Sequence, residues 1–513
     1  MFVTLQCART TAAVLTSYGM PNHTNVSASS FDLAASARAE MIREGFHIGE
    51  PEGADEQVAQ IRQALLTPPP GLRDLSALLW SSIDNDTSRD LDQIEYAEQT
   101  SAGIRVLIGI ADVAAAVAKD TPLDRAAAAQ TQTVYTAVEN FPMLPFELST
   151  DLTSLNPDQP RQAIICEFTV GEDGTLSQQA IYPALALNRA QLAYSTAGPF
   201  LEGQARPDGR HDPQLDDPIL AAQMRVQGEA AQHLHRNRVQ LGALDFNRVE
   251  ADPVVIDGKV QAIQAVAHNR ASDLIENLMI AANETMAMTL RNSNRSAIRR
   301  VVRSPERWDR IVALVATKGG SLPAQPDSHA LNTFLEQQRA SDSVHYPDLA
   351  LAIIKLMGPG EYVLSKAGDP EPPGHFSLAA LDYTHSTAPN RRFADLVTQR
   401  IVKAMLADEL APYTDDELAA LAQHINGRDS AARKVERTMQ KRVAAVALAP
   451  QVGQQFRGVI TGATAKGTFV RVFNPPVEGR ILKGFEGLDV GDQVTVTLSG
   501  TDPLHAFIDF TRP

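Results

Sequence analysis

The stretch SSIDNDTSRDLDQIEY, residues 81 to 96, constrains the fold more than any other part of the chain. Asp84, Asp90 and Asp92 lie close together, and the residues between the first and the others, Asn85, Asp86, Thr87 and Ser88, are turn formers. A fold-back there brings three carboxylates together, and like charges at such distances repel. Convergence is favourable mainly where a hard divalent cation neutralises them, and carboxylate with water is the ligand set of magnesium. A phosphodiester then supplies the remaining ligands. Two other readings compete. An arbitrary run rich in aspartate is more often a solvated loop. The sharper rival is a calcium loop, since with Asp84 as position 1 acids fall at 3, 7, 9 and 12 (Asp86, Asp90, Asp92, Glu95). Position 6, however, is Arg89 rather than the glycine that turn requires, and the IRVLIGI run that follows is strand-like rather than an exiting helix.

Around this stretch the chain falls into three parts. FDLAASARAEMIREGF and DEQVAQIRQALL read as two short helices, and the TPPPG linker at Thr67 to Gly71 closes a helical N-terminal module over residues 1–70. Residues 71–452 show no comparable break. Their first half alternates apolar runs such as IRVLIGIADVAAAV and RQAIICEFTV with turn residues, and helical periodicity dominates from about Ala221. Residues 453–513 change character again: five short β-rich runs separated by Gly, Pro and Asp turns suit a small closed barrel of the oligonucleotide-binding type. Lys466, Phe469, Arg471 and Phe473 there offer rings beside cations. The expected fold class is α+β and multidomain, with a mixed α/β body between the helical module and the barrel.

The formal net charge of -15 excludes a protein that coats nucleic acid through bulk charge, so any nucleic-acid site must be local. With two cysteines, Cys7 and Cys166, neither a disulfide framework nor a zinc knuckle can form within the chain, and a reducing cytoplasm fits. Neither a signal peptide nor a membrane span is expected from the apolar runs.

The order of several further motifs is specific. I-D-x5-D-x-D, then LIGIADVAAAV, PLD, FPMLPFELSTDLTSLNP, GALDF, ENLMIAAN and YTHSTAPNRRFADLVTQR resembles the RNB catalytic domain of the ribonuclease II and ribonuclease R family over roughly residues 75 to 445. The tail resembles the ribosomal-protein S-one-type barrel that ends such enzymes, whereas the N-terminus does not resemble their usual pair of cold-shock barrels. The resemblance implies a processive 3′→5′ exoribonuclease that hydrolyses single-stranded RNA to 5′-mononucleotides with magnesium, or manganese in its place, and acts as a monomer. It makes Asp84, Asp90 and Asp92 metal-holding and catalytic, with Asp92 the least replaceable. The alternative is an RNA-binding protein on a weakened RNB scaffold. Gln93, which stands where the family carries a further aspartate, feeds it, and retention of Asp84, Asp90 and Asp92 speaks against it; Gly109 is a second departure, standing where the family carries a histidine.

Arg391 and Arg392 follow Pro389, a common helix start, and so are expected in a first turn, the wrong end of the dipole for cations unless an anion sits there. A surface pair between Arg391 and Asp395 is the ordinary alternative. The resemblance favours phosphate contact and a catalytic role for both arginines. It also implies that Glu436 contacts sugar or base near the 3′ end, and that the rings of Tyr135 and Phe246 stack on terminal bases. By sequence alone either ring is more often core. Seven arginines between Arg291 and Arg310, Arg299 and Arg300 among them, face only Glu306 and Asp309, which reads as an electrostatic track for an RNA backbone or, equally simply, a solvated face.

Overall fold

Residues 31–204, 209, 211–244, 246, 249–256, 259–342, 346–370, 374–464 and 467–512 are described by the computed structural model. At its centre lies a strand, Gly103–Ala111, whose apolar residues alternate between two cores. Ile104, Val106, Ile108 and Ile110 enter one, and Leu107 and Ala111 the other. Burial on both faces is what a near-continuous apolar run demands. The six-stranded sheet runs Arg73–Asp74, Leu176–Ala193, Trp80–Asp84, Gln93–Thr100, Gly103–Ala111, Pro160–Val170. Leu176–Ala193 is long enough to pair with Pro160–Val170 along its first part and with Trp80–Asp84 along its last, so the sheet curls back on itself.

Helices Pro218–Gln240 and Arg270–Asn292 cover one face. Phe393–Leu406 and the beginning of Asp415–Leu448 cover the other. The helix-rich half also contains two antiparallel strand pairs that periodicity did not announce: the hairpin Val249–Ile256 with Lys259–Ala267, and Ala297–Val301 with the sequence-distant Glu361–Ser365. A satellite core is built by Trp308–Thr317, Ser328–Ser341 and Tyr346–Met357.

Asp415–Leu448 has 34 residues, about 51 Å at 1.5 Å per residue. It starts at a capping box of Thr414 with Glu417. Leu418, Ala422 and Ile425 enter the main core, while Val435 and Met439 pack under Leu33, Ala37 and Met41 of helix Leu33–Arg43. Its last turns, Ala444, Ala445 and Leu448, belong to the barrel core. The second N-terminal helix, Ala54–Leu65, places Val58 and Ile61 in the main core. Both N-terminal helices therefore share cores with the body, although the spacing at the TPPPG linker reads as a boundary. Residues 1–30, the rest of the expected module, lie outside the described residues, and so does Lys466. The tail forms a closed barrel in the order Gln455–Thr464, Gly467–Val472, Glu478–Lys483, Phe507–Thr511, Gln493–Asp502. Val470 and Val472 point inward, leaving Phe469, Arg471 and Phe473 on the outer side. Among the described residues no helix is long and apolar enough to cross a membrane.

Candidate active site

Asp84 ends the strand Trp80–Asp84, and the loop from Asn85 turns back, with Ser88 N donating to Asn85 O at 3.0 Å, to deliver Asp90 and Asp92 to the start of Gln93–Thr100. Strand pairing thus supplies the fold-back that the turn formers suggest. It also removes the calcium-loop reading, because Glu95 is a buried strand residue opposite Ser81 rather than the last ligand of a loop.

Asp92 is 1% exposed, and both its oxygens are used. Oδ1 accepts from Asn390 N at 2.9 Å and Oδ2 from Arg391 Nε at 3.0 Å. Burial pushes its carboxyl up to about 6, while Arg391 and the Asn390 N–H pull it back. Asp84 rises to about 7, again through burial, opposed by Arg391 and reinforced by the charges of Asp92 and Asp90. Its Oδ2 is buried without a partner. Asp90 accepts from the Tyr135 hydroxyl at 3.0 Å, and Tyr135 N donates to Glu436 Oε1 at 3.3 Å. Five sequence-selected positions, Asp90, Asp92, Tyr135, Arg391 and Glu436, are therefore brought together from parts of the chain up to about 350 residues apart, with Asp84 adjoining them electrostatically.

The arginine pair requires a correction. The helix begins at Phe393, so Arg392 is its N-cap and Arg391 precedes it; neither lies in the first turn. Carboxylates from within the fold explain the delay. Asp395 accepts from Ala388 N at 2.8 Å and Asp92 from Asn390 N, which holds 388–392 in a non-helical loop. The surface pair is also displaced: Arg392, not Arg391, bonds Asp395 at 2.7 Å, and Asp395 is fully buried. Arg391 keeps 41% of its side chain open, enough for the rest of its guanidinium to meet a phosphate.

Other expected contacts fall elsewhere. Arg299 is 1% exposed and bonds Asp382 at 2.5 Å and Ala287 O at 3.0 Å, so it belongs to a buried ion pair and not to a surface track. The alternation of Ala297–Val301 turns it inward. Arg300 lies 3.4 Å from Asp429 and over the Tyr362 ring at 4.6 Å. Arg303 pairs with Glu361, and Arg291 is 3.6 Å from Asp382. Most of the apparent basic excess is thus neutralised by acids distant in sequence. Phe246 packs against the satellite core. Gly109 faces Ile94 and Ile165, at 3.0 and 3.5 Å from where a Cβ would stand, so the change there concerns apolar packing rather than the carboxylates. Sequence reasoning missed the parts played by the Asn390 backbone and by Asp395; no spacing signal could have marked them.

Among the described residues no group of three or more acidic, histidine or cysteine side chains is placed to hold a metal ion by itself. The unpartnered Asp84 oxygen beside Asp90 and Asp92 nonetheless fits a hard divalent cation whose shell is finished by water and substrate oxygens. Asp84 and Asp90 would hold it; Asp92, already bonded to Arg391, would join it by yielding one contact.

A family model described as the RNB domain matches residues 72–408, and one described as the RNase II-type exonuclease C-terminal S1 domain matches 454–512. Ribonuclease R of Mycoplasma pneumoniae is 29% identical over 427 residues, covering 80% of this chain and 57% of that protein. Ribonuclease R of Escherichia coli is 29% identical over 449 residues, covering 84% and 54%. The chain thus spans little more than half the length of these relatives. The structure of Mycoplasma genitalium RNase R in complex with ribose methylated single-stranded RNA superposes with a TM-score of 0.83 at 23% identity, covering 94% of this chain and 78% of that one. Yeast Ssd1, described as a pseudonuclease, shares the fold at a TM-score of 0.63 and 15% identity, covering 82% and 51%.

Proposed function

The chain belongs to the RNB family, and on that premise we propose that it is a 3′→5′ exoribonuclease that hydrolyses single-stranded RNA processively to 5′-mononucleotides with a divalent metal, magnesium or manganese. The observation that carries this reading is the meeting of Arg391 with Asp92 at 3.0 Å, beside Asp84 and the Asp90–Tyr135–Glu436 chain. A divalent cation bound there supplies charge against the scissile phosphate and acidifies a water. Asp92, fixed on both oxygens, orients the reacting groups, and the open part of the Arg391 guanidinium balances charge developing on the phosphate. Tyr135 and Glu436 border the place where a terminal nucleotide lies, one offering a ring face and the other a carboxylate that can accept from ribose hydroxyls. Stacking tolerates any base, so little sequence preference is expected. Residues 71–452 form the catalytic unit in this reading, 453–513 an RNA-holding barrel, and 1–70 an accessory contact. An end-labelled single strand incubated with and without magnesium tests it: a ladder at nucleotide spacing that needs the metal is expected, and an intact strand would contradict it.

A second reading, RNA binding without cleavage, is favoured by one observation, the glutamine at 93. Gln93 is 5% exposed, and its amide near Asp84 pulls that carboxyl's pKa down while offering a neutral group where a carboxylate would add charge. If the first reading holds, Gln93→Asp lowers the magnesium concentration for half-maximal single-turnover cleavage at saturating RNA. Identical titration curves would show that position 93 is outside the metal site, and a silent native protein rescued by the aspartate would favour the second reading.

The barrel yields a separate expectation. It carries no group of the site, and Phe473 and Phe507 are 42% and 52% exposed. Removing residues from 454 onward should weaken RNA capture while cleavage at saturating RNA persists. A folded truncation that cuts at no RNA concentration would contradict this assignment.

A further inference from the structure

Tyr135 and Glu436 meet through one bond, from Tyr135 N to Glu436 Oε1 at 3.3 Å, although they stand 301 residues apart. Glu436 belongs to the long helix Asp415–Leu448, whereas Tyr135 sits on a hairpin of two-residue strands, Val134–Tyr135 with Asn140–Phe141. A two-stranded ribbon that short is not stable by itself, so packing must fix its place. Tyr135 reaches out to Asp90, while Val134 and its cross-strand partner Phe141 turn inward and are buried. Both rest in a core that is completed by Val435 and Met439 of the long helix and by Leu33, Ala37 and Met41 of helix Leu33–Arg43. Val134 precedes Tyr135 and Val435 precedes Glu436, so one core adjoins both residues of the nucleotide site.

Polar contacts tie the same N-terminal helix to each partner. Arg38 Nε donates to both carboxylate oxygens of Glu139, in the hairpin turn, at 3.0 and 2.9 Å. On the other side, Arg442 of the long helix bonds Ser36 Oγ at 2.8 Å and lies 3.2 Å from Glu40, and Arg428 donates to Glu44 O at 3.1 Å. The neighbours of Asp92 and Arg391, Leu91 and Phe393, belong instead to the main core. The nucleotide-gripping part of the site and its charged part therefore rest on different cores.

We propose that helix Leu33–Arg43 is a positioning element of the nucleotide site: through Met41 under the hairpin and Arg38 on its turn, it sets the gap between the Tyr135 ring and Glu436. In this role the helix acts through Tyr135 and not by touching RNA. The inference rests on the reading above in which Tyr135 and Glu436 border the terminal nucleotide, and it can fail independently of that reading.

The test measures, by fluorescence anisotropy in a metal chelator, the dissociation constant of a 5′-labelled RNA trinucleotide for the full chain and its variants. Loss of folded protein lowers the bound amplitude but not the constant. Tyr135→Ala should weaken binding by about 5- to 150-fold, the contribution of one stacked base, and Met41→Ala by a part of that. Combined, the two should be no weaker than Tyr135→Ala alone to within about 2-fold, because the helix acts through that ring. Additive losses, which a purely structural role or a direct RNA contact would give, overturn the proposal. Arg38→Glu, at an exposed position that the fold tolerates, should weaken binding by a few-fold, and Arg38→Glu/Glu139→Arg should restore it. Ile42→Ala, on the exposed side of the same helix, should change nothing; a loss there equal to that of Met41→Ala would overturn the proposal in favour of direct contact. Unchanged constants in Met41→Ala and Arg38→Glu overturn it alone if Tyr135→Ala is weakened. A Tyr135→Ala variant that binds as tightly as the native chain overturns it together with the role given to Tyr135.

Discussion

Replacing Asp92 by Asn is expected to reduce cleavage on the order of 10²–10³-fold, the cost typical of removing one group that stabilises charge in a transition state. Asp92 is buried, holds Arg391 through Oδ2 and fixes the Asn390 loop through Oδ1. An asparagine oxygen can keep one of these bonds. Its amide nitrogen cannot accept the other, and the negative charge is gone. Binding should respond in the opposite sense, because Arg391 loses its ion pair and becomes more available to phosphate. RNA affinity at low metal, measured by filter retention or fluorescence anisotropy, should therefore be kept or increased. If affinity and rate fall together, Asp92 acts through folding of the 388–392 loop and the role assigned to it is wrong.

Breaking the Arg299–Asp382 pair is the second large effect. Arg299 is 1% exposed and Asp382 4%, and the pair sits between strand Ala297–Val301 and the segment before His385. Arg299→Leu leaves Asp382 without its nearest cation in a buried setting, and removal of one partner of such a pair costs about 3–5 kcal/mol. Arg291, 3.6 Å from the other Asp382 oxygen, compensates only in part because it is half exposed. The expected result is a much lower melting midpoint with unchanged RNA affinity per folded molecule. Arg299→Leu/Asp382→Leu should recover part of the loss, since it strands no charge. A variant of unaltered stability but weaker RNA binding would return Arg299 to the RNA track.

These two residues also mark what the sequence could reveal. Asp84, Asp90 and Asp92 are legible because repulsion makes such a cluster costly without a purpose, and their spacing survives intact in a strand–turn–strand unit. The barrel is legible because alternation at Thr468 to Val472 is local. Arg299 was not legible as a core residue: its neutralising partner lies 83 residues away, so the local window shows only positive charge. The start of helix Phe393–Leu406 was misplaced for the same reason, as the backbone N–H groups of Ala388 and Asn390 are bound by carboxylates that pattern reading cannot assign to them. The two N-terminal helices were recognised from periodicity, but periodicity says only that Val58 and Met41 need a core, not that the core belongs to the body. Glu95 reads as the end of a possible loop, whereas its register opposite Ser81 makes it a buried strand residue.

The claim on which the account depends is that the Asp84, Asp90, Asp92 and Arg391 constellation acts at the 3′ end of a single strand. It is tested most directly by following two RNA strands of the same sequence, one blocked at its 3′ end and one at its 5′ end, with the native protein in magnesium and at nucleotide resolution. The account predicts that the 3′-blocked strand survives while the 5′-blocked strand is reduced to mononucleotides. Internal cuts in both strands, or survival of both, would contradict it.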